Sequence, residues 1–384
     1  MRPKGTGAMK IWGVTGTNGK TTTTWVAAAF INADSAHTCG YVTTVEVDTG
    51  SRRFSTGYTT PPLAQLKEIF AEMEANGCTD CVMEVSSHAI HQHRTGDTVF
   101  SGGVFTNLSE DHLDYHKTME AYFDVKLDFA RRIAAAHATT PDMGRLDLPP
   151  FVVCLDGGYG REMFNAAGNL AVNVIPVSIA SPAYDLGNLQ LVGDYNKSNV
   201  LCAAALAEAA GISHETIQRA IPALKPRWGR LELVPCASKA KVYVDFAHTP
   251  DGLEKVLGAA RGFTPQGGRL WVVFGAGGDR DPMKRPLMGA ACARLADRLV
   301  VTSDNPRSED PMKIIEAVLG GIDGARRQSV VVEVDRARAI HRALREAAAG
   351  DIVIVAGKGH ETTQEIKGVK HPFDDREVVR QFSF

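Results

Sequence analysis

The chain has 384 residues, a formal net charge of −2 and seven cysteines. This length allows two or three domains with ample core, and the nearly balanced charge gives no reason to expect nucleic acid or an anionic membrane as a partner. The sequence displays no signal peptide, no run of roughly 18 apolar residues and no disulfide framework, so we expect a cytoplasmic protein with reduced thiols.

The first elements along the chain predict a nucleotide site. The pattern favours a buried strand over residues 10–14, a tight turn over 16–19 and an apolar helix over 21–31. Such a turn lets backbone N–H groups and the helix dipole meet an anion, while a lysine reaches the phosphates and a hydroxyl binds magnesium. We therefore expect ATP to be bound by Gly16, Thr17, Asn18, Gly19, Lys20, Thr21 and Thr22.

This loop is a variant of the standard phosphate loop, because Val14 occupies the position of the first glycine. A glycine-rich turn without a ligand is the alternative interpretation. Further along, Cys78 and Cys81 form a C-x-x-C pair. No second pair with zinc-ligand spacing accompanies it, so structural cysteines are the better interpretation.

Polar side chains follow the next two predicted strands. Glu84 lies at the end of an apolar strand over residues 81–85, where its carboxylate can serve the magnesium that Thr21 also touches. A strand over 103–106 leads to the segment NLSEDHLDYH, in which His112 could bind another cation. Acidic residues and histidines also occur in ordinary loops, and Lys126, in a predicted helix over 119–133, is by itself typical of a solvated lysine.

The remaining pattern predicts an α/β protein with two domains, a central P-loop ATPase domain with a mostly parallel sheet and a C-terminal Rossmann-like doubly wound domain. Residues 141–193 are rich in Gly, Pro and Asn and suggest irregular structure, and a buried helix is expected over 199–210. Lys225 and Pro226 interrupt the pattern, so we place the domains at 1–226 and 227–384. Further strands are predicted over residues 241–245, 270–274, 298–302, 329–334 and 351–355.

A series of motifs runs in order from residue 15 to residue 361, and through it the sequence resembles the Mur ligases. Among these enzymes it is most similar to those that add the third peptide residue to UDP-N-acetylmuramoyl-L-Ala-D-Glu. The motifs are TGTNGKTTT, MEVSSHAIHQHR, FTNLSEDHLDYH, GDYNKSN, WGRLE, VDFAHTPDGLEKVL, FGAGGDRDPMKRPLMG, SDNPRSEDP and VAGKGHE.

The resemblance implies a reaction and roles for its residues. These ligases transfer the γ-phosphoryl group of ATP to a carboxylate, and an amine then attacks the acyl phosphate to give an amide. The catalytic residues would be Lys20, Glu84, His112 and Lys126, the last as a carbamate. Two magnesium ions would be held by Thr21, Glu84, His112 and the carbamate of Lys126. The adenine would contact Asn196 and Asn199, the phosphates Arg230 and the ribose Asp245, with ATP enclosed between the domains.

The resemblance also implies which amine is used. In this family the sequence DNPR accompanies ligases for meso-diaminopimelate, and here it comprises Asp304, Asn305, Pro306 and Arg307. Arg280 and Arg307 would bind a carboxylate through their planar forks, and Glu361 would provide a counter-charge for an ammonium group. The amino-acid site would comprise Arg280, Asp304, Asn305, Arg307, Gly357 and Glu361. The alternative interpretation is a proline-containing turn after a strand.

The acceptor is expected to be an acidic small molecule or peptide. Thr59, Thr60, Ser86 and Arg94 match family positions that hold its sugar or peptide portion. Full-length ligases of this kind carry an N-terminal domain for the uridine group, and we expect it to be absent here because the phosphate loop begins so early. The acceptor could then lack a nucleotide, or a separate protein could supply the missing recognition.

Two other functions remain open at this stage. One is a Mur-like ligase that acts on a non-UDP acceptor outside cell-wall synthesis, as folylpolyglutamate synthases or enzymes of secondary metabolism do. The other is a non-catalytic homologue that binds nucleotide to regulate a partner. The intact set of phosphate, metal and adenine residues disfavours this second alternative.

Overall fold

The computed structural model describes residues 8–137 and 148–383. The chain divides into two compact units, Met1–Leu224 and Lys225–Phe384. Over the described residues, none of the helices combines the length and the apolar character needed to cross a bilayer.

The first unit is built on a mostly parallel sheet with the strand order β4-β3-β2-β5-β1-β6-β7-β8 over its described residues. Six neighbouring strands, β2, β5, β1, β6, β7 and β8, are parallel. At the β2 edge, β3 pairs with β2 and β4 pairs with β3, both in antiparallel fashion. The strands are β1 (Lys10–Thr15), β2 (Cys39–Val42), β3 (Val47–Asp48), β4 (Arg53–Phe54), β5 (Asp80–Glu84), β6 (Gly102–Phe105), β7 (Pro150–Cys154) and β8 (Asn173–Val177).

Helices cover this sheet because its central strands are apolar on both faces. On one face α2 and α5 bury Leu66, Met73, Phe129 and Ile133. Helix α1 is almost wholly buried and packs against α7, β2 and β5. The helices are α1 (Lys20–Ile31), α2 (Leu63–Ala75), α3 (Ser87–His91), α4 (Leu113–His116), α5 (Met119–His137), α6 (Gly160–Ala167), α7 (Asp194–Ala210) and α8 (His214–Ala220), followed by a 3₁₀ turn (Ile221–Ala223).

Over its described residues, the second unit contains a sheet of order β13-β12-β11-β14-β10-β9, in which β9 runs antiparallel to β10 and the other strands are parallel, and a separate hairpin of β15 and β16. Alternate residues of β14 point to opposite layers: Ile352 and Ile354 pack with the apolar side chains on one face of the sheet, and Val353 and Val355 with those on the other face. The strands are β9 (Glu232–Leu233), β10 (Lys241–Asp245), β11 (Leu270–Phe274), β12 (Arg298–Val301), β13 (Val331–Val332), β14 (Ile352–Ala356), β15 (Thr363–Ile366) and β16 (Val369–Pro372).

The helices of this unit lie on both faces of its sheet, so the predicted α/β class with a doubly wound second sheet is confirmed. Helix α9 begins at Pro250, directly after Thr249, whose side chain accepts a hydrogen bond from Gly252 N. The helices are α9 (Pro250–Phe263), α10 (Lys284–Leu295), α11 (Pro311–Leu319), α12 (Gly324–Arg327), α13 (Arg336–Glu346) and α14 (Asp375–Arg380).

The expectation of irregular structure over residues 141–193 is wrong for much of this stretch. Residues 141–147 lie outside the described residues, but β7, α6 and β8 follow them. The Gly, Pro and Asn content suggested irregular structure, but Pro176 lies within β8. Strand β8 is the edge of the sheet, where a proline that lacks an N–H group is tolerated. The strand predicted over 329–334 is also shorter than expected, because β13 pairs only with β12.

Candidate functional site

The phosphate loop lies between β1 and α1, at the carboxyl edge of the first sheet. Gly19 has φ 87°, and a Cβ atom there would lie 2.3 Å from Asn199 Oδ1. A side chain is therefore excluded by both conformation and space. Helix α1 begins at Lys20, so its free N–H groups and its dipole face this loop.

The segment after β6 holds the phosphate loop in its conformation. Thr106 Oγ1 donates to Asn18 O at 2.6 Å, and Asn107 Oδ1 accepts from Asn18 N at 3.0 Å. Thr17 N in turn donates to Asn107 O at 2.9 Å. Neither Thr106 nor Asn107 was predicted from the sequence to have a role. Their position at the end of a strand next to β1 was the signal that could have revealed them.

Two lysines converge on this loop. Lys20 Nζ donates to Gly16 O at 2.9 Å and to Thr17 O at 2.8 Å. Lys126 Nζ, on α5, donates to Gly16 O at 2.9 Å and to Thr15 Oγ1 at 3.2 Å. Lys126 is only 1% exposed. Burial, and secondarily the charge of Lys20, holds the pKa of Lys126 well below its ordinary value, so the solvated-lysine interpretation is wrong.

Glu84 ends β5 with its carboxylate buried at 1% exposure. Its Oε1 accepts from Thr44 N at 2.8 Å and its Oε2 from Thr44 Oγ1 at 3.1 Å. Within residues 8–137 and 148–383, no lysine, arginine or histidine forms an ion pair with it. A buried carboxylate without a protein cation is suited to a metal ion.

His112 adopts a left-handed backbone conformation, with φ 56°, immediately before α4. Such a conformation is unfavourable for a residue with a side chain and is concentrated at functional sites. Burial lowers the pKa of His112 to about 4, and Asp111 Oδ2 lies 3.5 Å from its Nε2. The ring stays neutral at physiological pH, which is the form that binds metals.

Thr21 lies in the first turn of α1 and is buried, next to Lys20. Over the described part of the chain, no three His, Cys, Asp or Glu side chains come together in a metal-binding arrangement. The predicted donors are instead of mixed kinds: a hydroxyl, a carboxylate, an imidazole and a modified lysine. The cysteines are all free thiols, and Cys78 and Cys81 are buried.

Asn196 and Asn199 lie one turn apart near the start of α7. Asn199 contacts Gly19 of the phosphate loop, and its Nδ2 is 3.4 Å from Asn196 Oδ1. Asn196 Nδ2 donates to Val192 O at 2.7 Å. Because α7 packs along α1, Asn199 is brought to the nucleotide loop, and Asn196 lies one turn before it.

Asp156, which the sequence analysis did not select, connects three segments around α7. Its carboxylate accepts from Ser198 Oγ at 2.7 Å, from Ile179 N at 2.9 Å and from Ser178 Oγ at 2.5 Å. Ser198 directly precedes Asn199. The signal was available as the sequence Asp-Gly-Gly after the apolar run of β7, in the stretch expected to be irregular.

Three of the four predicted acceptor residues lie close together, and Arg94 has no hydrogen bond to them among the described residues. Thr60 Oγ1 donates to Glu84 O at 2.9 Å and accepts from Ser86 N at 3.0 Å. Thr59 Oγ1 accepts from Thr44 Oγ1 at 3.0 Å. These three residues therefore surround the end of β5. Arg94 follows α3, and its Nε donates to Gln92 Oε1 at 2.8 Å; over the described residues it has no hydrogen bond to the other three.

In the second unit, Asp245 ends β10 and receives two backbone hydrogen bonds. Its Oδ2 accepts from Leu231 N and its Oδ1 from Ala247 N, both at 2.7 Å. Burial raises the pKa of Asp245, while the nearby charge of Arg230 opposes that rise. The guanidinium of Arg230 lies 4.5 Å from the centre of the Phe246 ring. The structure thus brings Arg230 and Asp245 together.

Two motifs of the predicted amino-acid site are joined by a lysine that the sequence analysis overlooked. Lys358 is fully buried, and its Nζ donates to Asn305 Oδ1 at 3.1 Å and to Glu361 Oε2 at 2.8 Å. Asn305 Nδ2 donates to the same Glu361 oxygen at 2.8 Å. Lys358 therefore fixes the orientation of the Asn305 amide. Its presence within VAGKGHE was the available signal.

The two predicted arginines lie on neighbouring loops. Arg307 has φ 50°, and its Nη1 donates to Gly278 O at 2.6 Å. Asp279 accepts from Ser308 N at 3.1 Å and from Ser308 Oγ at 2.6 Å, which ties the loop of Arg280 to that of Arg307. Arg280 is exposed, with Nη1 3.1 Å from Asp279 O. The two guanidinium groups thus come from loops that are bonded to each other.

Asp304 carries a buried anionic oxygen without a donor. Its Oδ1 accepts from Asn305 N at 2.7 Å, whereas Oδ2 has no hydrogen-bond partner among the described residues. The residue is 8% exposed. Gly357, with φ 120°, approaches so closely that a Cβ there would lie 2.5 Å from this oxygen. An unpaired buried carboxylate oxygen is costly and is suited to a ligand with an ammonium group.

Sequence comparison defines the class of protein. The family profile described as the Mur ligase middle domain matches residues 14–207, and that described as the Mur ligase, glutamate ligase domain matches residues 229–359. The chain belongs to the Mur ligase family. The homologues in this family are ATP-dependent ligases.

Particular relatives narrow the comparison. The chain is 38% identical, over 97% of its length, to 77% of the UDP-N-acetylmuramoyl-L-alanyl-D-glutamate–2,6-diaminopimelate ligase of Aquifex aeolicus. The protein of that name from Chlorobaculum tepidum is 40% identical, with 96% of this chain and 75% of the relative covered.

Solved structures agree with this assignment. A structure of a UDP-N-acetylmuramoyl-L-alanyl-D-glutamate–2,6-diaminopimelate ligase is similar at a TM-score of 0.61 and 32% identity, with 97% of this chain and 78% of that chain covered. The folylpolyglutamate synthase of Mycobacterium tuberculosis complexed with ADP gives a TM-score of 0.65 at 18% identity, covering 91% of this chain and 88% of that one. At that identity the second likeness concerns the fold alone.

Proposed function

We propose that the protein joins meso-diaminopimelate to the D-Glu carboxylate of UDP-N-acetylmuramoyl-L-Ala-D-Glu, with consumption of ATP, in the cytoplasmic synthesis of peptidoglycan precursors. The names of relatives that are 38% and 40% identical support both substrates. We further propose that residues 1–226 bind ATP and residues 227–384 bind the amino acid.

One observation carries the choice of amine. The second unit combines the buried, unpartnered Oδ2 of Asp304 with the guanidinium groups of Arg280 and Arg307 on adjoining loops. A molecule with both an ammonium and a carboxylate at its distal end satisfies both charges, whereas an amine with only an ammonium satisfies one. Glu361 already accepts from Lys358 and Asn305, so Asp304 is the better counter-charge for the ammonium.

ATP is proposed to bind at Gly16, Thr17, Asn18, Gly19, Lys20, Thr21 and Thr22, with further contacts from Asn196, Asn199, Arg230 and Asp245. Lys20, at the start of α1, already turns its ammonium group into the phosphate loop. It would stabilise the negative charge of the transferring phosphoryl group, which is spread over oxygens in the transition state. The helix dipole of α1 acts in the same sense.

The described residues fit magnesium, because Glu84 is a buried carboxylate without a protein cation. Thr21, Glu84, His112 and Lys126 as N6-carboxylysine would hold two ions, which would neutralise phosphate charge when bound. The low pKa of Lys126 supports the modification, since only the neutral amine reacts with carbon dioxide. The neutral nitrogen attacks the carbon of carbon dioxide and loses one proton, which leaves a carbamate anion; counted from the ammonium form, two protons are released in all.

The acceptor carboxylate is proposed to lie near Thr59, Thr60, Ser86 and Arg94. One of its oxygens attacks the γ-phosphorus of ATP, and ADP leaves. The amine nitrogen then attacks the acyl carbon, loses a proton, and inorganic phosphate leaves. The chain's contribution to these steps is orientation and charge stabilisation, which is the main source of catalysis in phosphoryl transfer.

A phosphate-release assay tests the whole proposal. Acceptors would be UDP-N-acetylmuramoyl-L-Ala-D-Glu, free L-Ala-D-Glu and dihydropteroate, each paired with meso-diaminopimelate, L-lysine and L-glutamate. We expect the fastest release with the first acceptor and meso-diaminopimelate, slower release when L-lysine replaces that amine, and no release above background with the other acceptors. Release with dihydropteroate and glutamate would support a ligase outside cell-wall synthesis, and nucleotide binding without release would support a non-catalytic protein. Release that requires a second protein would assign part of acceptor recognition to that protein.

A further inference from the structure

The second unit contains a fully buried ion pair that has no role in the function described so far. Arg336, the first residue of α13, and Asp375, the first residue of α14, both have side chains with 0% exposure. The pair is bidentate: Nε donates to Oδ1 and Nη2 to Oδ2, each at 2.7 Å. Both charges are therefore mutually satisfied without water.

The same guanidinium also bonds two backbone carbonyls. Arg336 Nη1 donates to Ser303 O at 3.2 Å, and Nη2 donates to Ala356 O at 3.0 Å. Ser303 directly precedes Asp304, and Ala356 directly precedes Gly357. Arg336 is thus bonded to the first backbone carbonyl before each of the two loops of the amino-acid site.

These two loops are not neighbours in the sheet. They follow β12 and β14, and β11 lies between those strands. Ladder hydrogen bonds join only adjacent strands, which are about 4.8 Å apart, so β12 and β14 are separated by about twice that distance. The guanidinium spans this gap at the carboxyl edge, where Gly357 lies against Asp304 Oδ2.

Stability alone does not account for such a pair. A buried ion pair gains little over well-packed apolar side chains, because removing two charges from water is costly. What the planar fork adds is a fixed geometry between the groups that it bonds. The charge of Arg336 also attracts Asp304 and Glu361 without touching either.

We propose that Arg336, oriented by Asp375, is a positioning residue for amine recognition. It sets the distance between the Asp304–Arg307 loop and the Gly357–Glu361 loop, and so the fit of the amino acid's distal charges. The inference rests on the proposed function, because it takes these loops as the binding site for the amine.

The decisive variant is Arg336→Lys, which keeps the positive charge but has three donors on a single nitrogen and so cannot reproduce the four hydrogen bonds of the planar guanidinium. Arg269→Lys is the matched control. Arg269 Nε and Nη2 donate to Asp351 Oδ2 at 3.2 and 3.0 Å, and these two residues directly precede β11 and β14. This ion pair therefore lies at the amino ends of β11 and β14, at the edge of the sheet opposite to the one where Arg336 lies.

We expect Arg336→Lys to raise the KM for the amine by about tenfold or more while the KM for ATP stays within about twofold, since only ligand binding in the second unit's loops is altered. Arg269→Lys should change neither constant. An unchanged KM for the amine in Arg336→Lys would overturn the inference, and so would an equal rise in both constants or an equal effect of Arg269→Lys.

A second variant covers the case in which Arg336→Lys does not fold. The double change Arg336→Met with Asp375→Leu replaces the pair by apolar side chains of similar size, a replacement that proteins tolerate. It should fold, release the two carbonyls and raise the KM for the amine in the same way; normal amine kinetics in the folded double variant would overturn the inference.

Failure of the proposed function would give a different experimental result from failure of the role proposed for Arg336. It would appear in the wild-type enzyme as a preference for an amine other than meso-diaminopimelate. The same variants would then be measured with the preferred amine, and the comparison of the two KM values decides the role of Arg336 independently of which amine that is.

Discussion

Lys20 Nζ and Lys126 Nζ donate to the same oxygen atom, the carbonyl of Gly16, each at 2.9 Å. Two ammonium groups at one carbonyl repel each other, and the buried one is the less stable as a cation. The pKa of Lys126 is accordingly lowered by burial and then by Lys20. This relationship favours the neutral form of the Lys126 amine, which is the form that the proposed carbamate formation requires.

Replacing Lys126 with alanine should therefore abolish ligation. We expect a loss of at least about 10²-fold to 10³-fold in kcat, the scale of losing one preorganised electrostatic group. Added bicarbonate cannot restore activity, because the amine is gone, whereas a small carboxylate such as acetate should restore part of it. Steady-state phosphate release with and without acetate measures both effects.

Two controls distinguish this role. Lys20→Ala should also lose turnover, but acetate should not restore it, because the missing group is a cation. Lys67→Ala should retain full activity, since Lys67 is exposed and its ion pair with Asp97 is exposed as well. Full activity in Lys126→Ala would reject the carbamate assignment.

Glu84 should govern the requirement for magnesium. Glu84→Gln keeps the shape of the side chain, and its oxygen can still accept from Thr44, but the charge that would attract a cation is lost. We expect the half-saturating magnesium concentration to rise about tenfold or more, with the choice of amine unchanged. The measurement is phosphate release across a magnesium titration, with Glu72→Gln, in an exposed pair with Arg52, as the control. A shift in amine preference at an unchanged magnesium requirement would contradict this assignment.

The sequence predicts the architecture well where buried strands are apolar and helices follow them. The strands β10 and β11 coincide with their predicted ranges, because each is a short apolar run within a parallel sheet. The strands and helix from β7 to β8 were not predicted, because that stretch is rich in Gly, Pro and Asn. Strand β8 accommodates Pro176 because it is an edge strand of the sheet. Edge position is a property of the sheet and not of the local sequence.

The site is predicted unevenly for a similar reason. Residues within motifs, such as Glu84 and Asn305, are identifiable in the sequence. The residues that hold them in place, Thr44, Lys358 and Asp156, are not identifiable in this way. They act through hydrogen bonds to parts of the chain that are distant in sequence. Lys126 illustrates the limit: its helix is predictable, but its burial and lowered pKa follow from packing against the phosphate loop.

His360 should make the folded protein sensitive to acid. Burial, and then the charges of Arg230 and Arg376, lower the pKa of His360 to about 3, whereas an unfolded histidine titrates near 6.5. Between these values the unfolded state binds more protons, so the free energy of unfolding falls as the pH falls from about 6.5. The slope from this group is at most about 1.4 kcal/mol per pH unit.

Denaturant unfolding at pH 7, 6 and 5 measures this effect. His360→Gln should show a shallower loss of unfolding free energy between pH 6 and 5 than the wild type, because it removes the group that gains a proton on unfolding. His371→Gln, at an exposed position, serves as the control and should keep the wild-type slope. Equal slopes in the wild type and His360→Gln would contradict the prediction.

The choice of amine follows from Asp304 and the arginines beside it. If L-lysine binds, Arg307 keeps Gly278 O and the carboxylate of Glu365, 3.7 Å away, as partners but lacks the distal carboxylate that the site is proposed to pair with it. We expect this loss to cost about 1 to 3 kcal/mol. Since about 1.4 kcal/mol corresponds to tenfold, meso-diaminopimelate should exceed L-lysine by about tenfold to a hundredfold in kcat/KM. Competition between the two amines in the ligation assay measures this ratio directly.

Two substitutions separate the distal charges in that assay. Arg307→Ala should reduce the ratio of kcat/KM for meso-diaminopimelate to kcat/KM for L-lysine. It should do so chiefly by slowing the ligation of meso-diaminopimelate, because L-lysine has no distal carboxylate for the lost guanidinium to bind. Asp304→Asn should slow both amines, since each carries an ammonium group that the unpartnered Oδ2 is proposed to bind. Equal use of the two amines by the wild type would reject the diaminopimelate assignment, and the Mur ligase family membership would stand.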